Sequence, residues 1–376
     1  EVKFVATRKE RYDNSYDRNP TVSFVTLVED IERRDFTVNS LLKNVATGEI
    51  LDITGKGISD IKSGFIRTHI SPDIIFSEDP LRMMRAIRFS VKYDWTMTDE
   101  VIDGIKRNVN RINIVSKDRI KDELDKIIKA NKAHVAIPLM DEVGLLELIV
   151  PEMFALKGVS QDGRHHSEGD AYVHTLMVIK NMEREYPEIG LSAVWAAIAH
   201  DWGKKQTQTF DGAKIHFYGH EDVSSVLAEE RMRDLKYPNE IVGKTKFLIK
   251  SHMRGHHADQ WKDKAFRKFF REMGDHCDDL LALLKADSLS SIPEGGEAST
   301  KNFDVIQSKR EEMSYPEIAA KKLPINGNDI ISEFGVKGED VGRILSVLRD
   351  MIDEFPEIST FRKEVVLGVL RSSRRI

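Results

Sequence analysis

The sequence predicts a mainly helical chain with a short α/β stretch at its start. Strand-like alternation is confined to residues 1–70. From residue 71 onward, apolar residues recur at helical spacing, and Gly- and Pro-containing breaks at 158–169 and 292–296 divide that helical run.

With 376 residues, 40% hydrophobic and 32% charged, the chain has the composition of a soluble globular protein of two or three domains. No stretch reaches the roughly 18 unbroken apolar residues of a membrane span. The opening Glu1-Val2-Lys3-Phe4 has neither the basic nor the apolar part of a signal peptide, and Glu1 is not expected to be the natural start. The lone Cys277 cannot form an internal disulfide, which fits a reducing cytoplasm, and its neighbours Asp275, Asp278 and Asp279 would not lower a thiol pKa. The net charge of −5 argues weakly against nucleic acid as a partner. However, Lys117, Arg119, Lys121, Lys126, Lys129 and Lys132 gather in one region, and Arg371, Arg374 and Arg375 close the chain. Such clusters are more often solvated helix faces than RNA sites, so they decide nothing alone.

Residues 2–7 partly alternate and read as a strand, followed by a polar loop to about residue 20. Asp30 to Leu42 reads as a helix, and Lys43–Val45 with Glu49–Ile53 as a hairpin around Thr47-Gly48. Ser77 reads as an N-cap ahead of Glu78-Asp79-Pro80. Further helices are expected over 98–109, 117–130 and 132–143, the last ending at Gly144. A second helical block runs over 172–290, and a last one contains Leu323-Pro324-Ile325-Asn326-Gly327.

Two segments carry a first chemistry. In Arg33-Arg34-Asp35-Phe36-Thr37-Val38-Asn39-Ser40, Arg34 could hold a triphosphate by paired charge-assisted bonds and Asn39 could meet a ribose hydroxyl. Asp79 and Arg82, three residues apart, would share a helix face. Cytosine and adenine both present an amino donor beside a ring-nitrogen acceptor. A carboxylate can accept from the first while a guanidinium donates to the second. Uracil and guanine put a carbonyl where the amino group should be, and a mispaired polar site of this kind discriminates strongly. Alone, each segment could equally be an amphipathic salt-bridged helix or a surface ion pair.

In order and spacing these segments resemble class II tRNA nucleotidyltransferases and bacterial poly(A) polymerases. Arg34-Asp35-Phe36-Thr37-Val38-Asn39 is similar to their RRDFTxNA motif, and Glu78-Asp79-x-x-Arg82 to their nucleotide-selecting EDxxR motif, continuing through Arg85 and Arg88. Asp52 to Asp60, with Arg67 after it, is similar to DPFGGxxDL, and Val115 to Leu124 to (I/V)SxERIxxEL. Ser40 replaces the usual Ala, and Thr54-Gly55-Lys56 replaces Pro-Phe-Gly. The resemblance implies nucleotide binding by Arg34, Asp35, Asn39, Asp79, Arg82, Arg85 and Arg88. It also implies a pair of Mg2+ ions held by an Asp-x-Asp pair on adjacent strands. No Asp-x-Asp precedes residue 34, so the catalytic residues for transfer are unassigned. The natural protein is expected to extend N-terminally, and these residues alone are expected to transfer no nucleotide.

His200-Asp201 closes an apolar helix and precedes Trp202-Gly203-Lys204. With His174 before it and His220, His252 and Asp287 after it, the order resembles the HD-domain phosphohydrolases, and Phe217-Tyr218-Gly219-His220-Glu221 is similar to the FxGHE stretch of HD domains fused to tRNA nucleotidyltransferases. His174, His200, Asp201 and Asp287 would hold one ion, His220 and His252 would allow a second, and Lys204 could contact phosphate. A transition metal (Ni, Mn, Co or Fe) suits this donor set better than Mg2+. The implied activities are hydrolysis of 2′,3′-cyclic phosphates, 2′-nucleotides and phosphate monoesters. His69, His134, His165, His166, His216, His256, His257 and His276 read as ordinary satisfied histidines.

Leu323 to Asp329 and Phe334 to Gly342 are similar to the family's C-terminal LxxxGxDL segment, implying a tail on the tRNA elbow, with Lys337, and with Arg119 and Lys121 in the neck, as RNA contacts. The expected architecture is mainly α: a partial α/β nucleotidyltransferase (polymerase-β-like) head at 1–70, a helical neck at 71–155, an all-α HD domain at 156–291 and a helical body/tail at 292–376. The implied activity is addition of C, C and A from CTP and ATP to tRNA 3′ ends in the cytoplasm, by a possible homodimer or with a partner chain supplying the missing head segment. Alternatives are a poly(A) polymerase or A-adding enzyme, an HD phosphohydrolase with a relic head, and a tRNA-binding subunit.

Overall fold

The computed structural model describes residues 8–11, 21–24, 26–162, 167–212, 214–313 and 323–372. The strand expected over residues 2–7, and His165, His166, Arg374 and Arg375, lie outside the described residues.

The head holds the few strands. β1 (Arg8–Arg11), within the region expected to be a loop, pairs antiparallel with β2 (Thr21–Phe24), just beyond it. α1 (Leu27–Glu32) follows, opened by a Thr26/Glu29 capping box. The helix expected from Asp30 to Leu42 ends at Glu32, and Thr37–Asn39 form a separate 3₁₀ turn. The reason is local and tertiary together. The Asp35 carboxylate accepts from the backbone N–H of Phe36, and Thr37 donates its N–H to Arg67 O instead of to a helical carbonyl. The hairpin around Thr47-Gly48 forms as β3 (Leu42–Lys43) and β4 (Ile50–Leu51). α2 (Gly57–Ser63) leads into β5 (Phe65–Ile66).

α3 (Pro72–Glu78) starts with Pro72, so Ser77 lies inside it and not at an N-cap. The extended Asp79 ends α3, and Pro80 opens α4 (Leu81–Tyr93). β6 (Thr96–Met97) then pairs parallel with β5, although strand signals stop at residue 72 in the sequence. α5 (Asp99–Asn108), α6 (Lys117–Ile128) and α7 (Ala133–Glu142) follow close to the expected positions. Gly144 stops α7 with φ 81°, a backbone state that only glycine takes without strain. α8 (Leu145–Ile149) and α9 (Pro151–Phe154) complete this part.

The next helices are α10 (Ala171–Glu185), α11 (Leu191–Ala199), α12 (Lys204–Thr207), α13 (His220–Asp234), α14 (Asn239–Ser251), α15 (Asp263–Met273), α16 (Cys277–Ser290) and α17 (Lys301–Glu312), with a small β7–β8 hairpin (Thr209–Phe210, Ile215–His216) between α12 and α13. α10 packs on α11 and α16, and α14 on α11 and α13. One hydrophobic core runs without interruption from Phe36 through Met84, Trp195 and Leu283 to Met313. α18 (Gly327–Phe334), α19 (Glu339–Glu354) and α20 (Lys363–Ser372) close around a separate core of Ile330, Ile344, Leu348 and Val366. Arg271 and Arg267 on α15 meet the Asp353 carboxylate and carbonyl, tying this tail to the larger core. No helix among the described residues is long and apolar enough to cross a membrane.

Candidate functional site

The head site is organised by a buried carboxylate. Asp35 sits where α1 has ended, 7% exposed. One oxygen accepts from Phe36 N at 2.9 Å and from Asn39 Nδ2 at 3.0 Å. The other takes the Arg85 guanidinium of α4 at 2.6–2.7 Å. Arg34 reaches the same corner, donating to Asn39 O at 3.1 Å and to Asp30 at 3.2 Å. Arg34, Asp35, Asn39 and Arg85 are thus brought together by fold contacts rather than by one helix. Beneath them Thr37 donates to Asp60 at 2.7 Å, and Arg67 pairs with Asp60 at 3.3 Å.

Asp79 and Arg82 flank the break between α3 and α4 and do not pair with each other among the described contacts. Arg82 donates to Ile75 O and Glu78, each at 3.1 Å, and to Arg33 O, so it bridges α3, α4 and the Arg33–Arg34 corner. Asp79 lies before α4, where it caps Leu81 N and pairs with Arg119 of α6 at 2.7 Å. Arg88 does not join this group. It is buried, 2.6 Å from Glu123, and packs over the Phe89 ring. One turn further along α4 than Arg85, it meets α6, which packs on α4 and supplies Glu123. Lys121 is likewise engaged, with Asp122, Asp125 and the Tyr237 ring, whereas Lys337 is exposed in the turn before α19.

The second cluster lies where helix ends converge. His174 is on α10, His200-Asp201 follows α11, His220 begins α13, His252 follows α14, and Asp287 is near the end of α16. All six side chains are buried. Gly203 is obligatory at this turn, because a Cβ there would lie 2.4 Å from His220 O.

Three of the imidazoles donate Nδ1–H to a main-chain carbonyl three residues back: His200 to Ala197 (2.9 Å), His220 to Phe217 (2.8 Å) and His252 to Ile249 (2.7 Å). That fixes their tautomers and turns three bare Nε2 lone pairs inward. His220 and His252 Nε2 face each other at 3.2 Å, two acceptors that need a cation between them. His200 Nε2 has no hydrogen-bond partner. Asp201 faces both sides. Its Oδ2 is 3.2 Å from His200 Nε2 and 3.8 Å from His174 Nε2, and its Oδ1 is 3.5 Å from His220 Nε2. Ligand atoms of His174, His200 and Asp287 lie within 4.8 Å of one another, as do those of Asp201, His220 and His252. This donor set fits one or two divalent transition-metal ions.

Burial, reinforced by repulsion from His200 and His220, pushes the His252 imidazole down to about 3, and burial lowers His220 as well, so both are neutral. Burial opposes ionisation of Asp201 and Asp287, but the surrounding cations outweigh it and hold both carboxyls low. For His174, burial is outweighed by its bonds to Asp287 (3.0 Å) and Glu168 (2.9 Å), which raise it to about 9. A proton and a metal ion therefore compete for the space between its Nε2 and Asp287.

Sequence reasoning missed Glu168. Its side chain is buried, backs His174 Nδ1 with one oxygen and accepts from Ile292 N at 3.1 Å with the other. Its only sequence signal is its place six residues before His174. Glu168→Gln is expected to weaken metal binding about 10- to 100-fold, read by competition with a metallochromic chelator. Unchanged affinity would rule the role out.

Two family models match the first part of the chain. A family model described as the poly A polymerase head domain matches residues 2–67, and one described as a probable RNA and SrmB-binding site of polymerase A matches residues 94–156. A CC-adding tRNA nucleotidyltransferase of Thermus thermophilus is 28% identical over 86% of this chain and 72% of its own length. A multifunctional CCA protein of Mannheimia succiniciproducens is 31% identical over 66% of this chain, which spans 60% of that protein. An A-adding enzyme of Deinococcus radiodurans is 27% identical over 86% of this chain and 75% of its own length. A Bacillus stearothermophilus CCA-adding enzyme solved with CTP shares the fold, with a TM-score of 0.66 at 21% identity over 93% of this chain and 75% of that one. The chain is mainly helical, and its head matches the fold of CCA-adding nucleotidyltransferases. The chain resembles the tRNA nucleotidyltransferases that carry a poly A polymerase head, and its residues 2–67 match that head.

Proposed function

We propose that this chain serves tRNA 3′-end maturation or repair, selecting CTP and ATP for untemplated addition of C, C and A, and that it carries a second, metal-dependent phosphohydrolase centre. The division is that of the sequence reading: head at 1–70, neck at 71–155, HD domain at 156–291 and body/tail at 292–376. Arg34, Asn39 and Arg85 gather the triphosphate and ribose, while Asp79 and Arg82 read the base. The observation that carries this reading is the Asp35 hub, which fixes Asn39 and Arg85 from two distant segments around one buried carboxylate. The family's Mg2+ chemistry would be supplied with its Asp-x-Asp strands. Arg119 and Lys337 are the RNA contacts kept; Lys121 is tied up between neck and HD domain.

At the second centre, His174, His200, Asp201, His220, His252 and Asp287 would hold the metal, which supplies Lewis-acid polarisation of a phosphate ester. The residues themselves do the positioning. The three fixed tautomers keep the lone pairs inward, and the burial of all six side chains excludes bulk water. Cyclic phosphodiesters, 2′-nucleotides and phosphate monoesters are the substrates proposed.

A second reading of the transfer activity is partial addition, of CC or of A alone, favoured by the CC-adding and A-adding relatives that align over 86% of the chain. The test is incorporation of labelled CTP and ATP into tRNA lacking CCA, by residues 1–376 and by the same chain joined to the family's carboxylate-bearing head segment. The expected outcome is no incorporation by the first and C, C, A by the second. Product length separates full from partial addition. Robust incorporation by residues 1–376 alone would overturn the assignment of the head motifs.

A further inference from the structure

Lys204, the last residue of the His200-Asp201-Trp202-Gly203-Lys204 turn, is buried beside the metal-ligand cluster. Its ammonium lies 2.8 Å from Asp201 Oδ2, 2.6 Å from Gln161 Oε1 and 5.3 Å from the Phe217 ring. An ammonium has donors and no acceptor, so the Gln161 amide oxygen must face it, which fixes the orientation of the whole amide. The amide nitrogen is then left as a donor. Gln161 is only 8% exposed, yet that nitrogen has no hydrogen-bond partner among the described residues. A buried donor left unmade is costly, and in a folded protein it points to a ligand that completes it.

The place of this orphan suggests the ligand. Asp162, the next residue, lines a cleft of about 670 Å3 that also reaches Asp287 of the cluster, with Lys214 on its wall. Phe217, whose ring lies 5.3 Å from the Lys204 ammonium, also lines this cleft, so the Gln161–Lys204 pair lies behind its wall and beside the proposed metal centre. Two adjacent donors, one charged and one neutral, match two oxygens of a tetrahedral oxyanion. We propose that Gln161 Nε2 and Lys204 Nζ form a subsite for the phosphoryl oxygens of the ester, with Gln161 also holding Lys204 in place through its carbonyl. This rests on the phosphohydrolase reading of the cluster.

The probe is inorganic phosphate, titrated calorimetrically into the full chain loaded with Mn2+, with metal content measured in parallel. Gln161→Ala is expected to weaken phosphate about tenfold, the worth of one such hydrogen bond, at unchanged metal content. Gln161→Glu keeps the side-chain volume and the acceptor on Lys204 but replaces the donor with a negative oxygen. It is expected to fold as the parent does and to lose about a hundredfold in phosphate affinity. For hydrolysis of a phosphate monoester, KM should rise more than kcat falls. Wild-type phosphate affinity in both variants, with metal retained, would overturn the assignment, as would loss of metal in Gln161→Glu, which would make Gln161 a support for Asp201. A wild-type chain that takes up no metal would sink the phosphohydrolase reading itself, and this inference with it.

Discussion

Asp201→Ala is expected to lower metal-dependent hydrolysis of a phosphate ester by about a thousandfold or more, the loss of roughly 4 kcal/mol of electrostatic stabilisation. The size follows from geometry. The other five ligand residues each belong to one group of three, but Asp201 lies against both, with Oδ1 toward His220 and Oδ2 toward His200 and His174. Its removal takes a donor from each and leaves the Lys204 ammonium buried beside bare imidazoles, where it repels a cation. His252→Ala, by contrast, takes one donor from one group and should leave the His174–His200–Asp287 position able to bind. Metal content and hydrolysis should therefore fall further for Asp201→Ala than for His252→Ala, while nucleotide incorporation by the chain joined to the family's carboxylate-bearing segment is expected to stay at its parent level. Thermal unfolding of the metal-free forms separates loss of binding from loss of folding. Equal metal content in Asp201→Ala and the parent would exclude Asp201 as a ligand.

The helices after residue 97 were readable because their signals are local. Apolar spacing, the acids at the start of α5 and Gly144 after α7 place Asp99–Asn108, Lys117–Ile128 and Ala133–Glu142 within two residues of expectation. The head was less readable because long-range bonds decide it. Arg33 to Asn39 has helical spacing, but Thr37 bonds to Arg67 and Asp60 while Asp35 bonds to Arg85, and these partners are distant in sequence. The two-residue parallel pair of β5 and β6 leaves no periodic trace, since two residues cannot alternate visibly. Ser77 was misread because Ser before acids looks like a cap, whereas Pro72 had already begun the helix.

At the candidate sites a similar division holds. Ligand types and their order are written in the chain, so His174, His200, Asp201, His220, His252 and Asp287 could be named from it, and the fold gathers them. The residues that orient them could not. Glu168 and Gln161 carry no distinctive pattern, and their interest comes from one buried bond each, to His174 and Lys204. Arg88 shows the converse error: it sits in a run of arginines on α4, but one turn further along, α6 packs on α4 and Glu123 takes the guanidinium.

Arg82→Lys is expected to reduce kcat/KM for CTP and for ATP about a hundredfold in the enzyme carrying the family's carboxylate-bearing segment, a loss of ~3 kcal/mol. Arg82 spreads one planar group over Ile75 O, Glu78 and Arg33 O, the last being the residue before Arg34. A lysine puts a single ammonium at the end of a flexible stem. It can satisfy a carbonyl or a ring nitrogen but cannot hold both at fixed angles. Asp79→Asn should behave differently. The amide keeps one acceptor, so it can hold Leu81 N but turns its NH2 toward the Arg119 guanidinium and loses that pairing, and the same NH2 can now donate to a carbonyl. Use of UTP should then rise relative to CTP by about 10- to 100-fold, the discrimination that one base-edge contact supplies. Competition assays with CTP against UTP separate the two effects. If Arg82→Lys relaxed the choice of base and Asp79→Asn did not, the roles assigned to the two side chains would have to be exchanged.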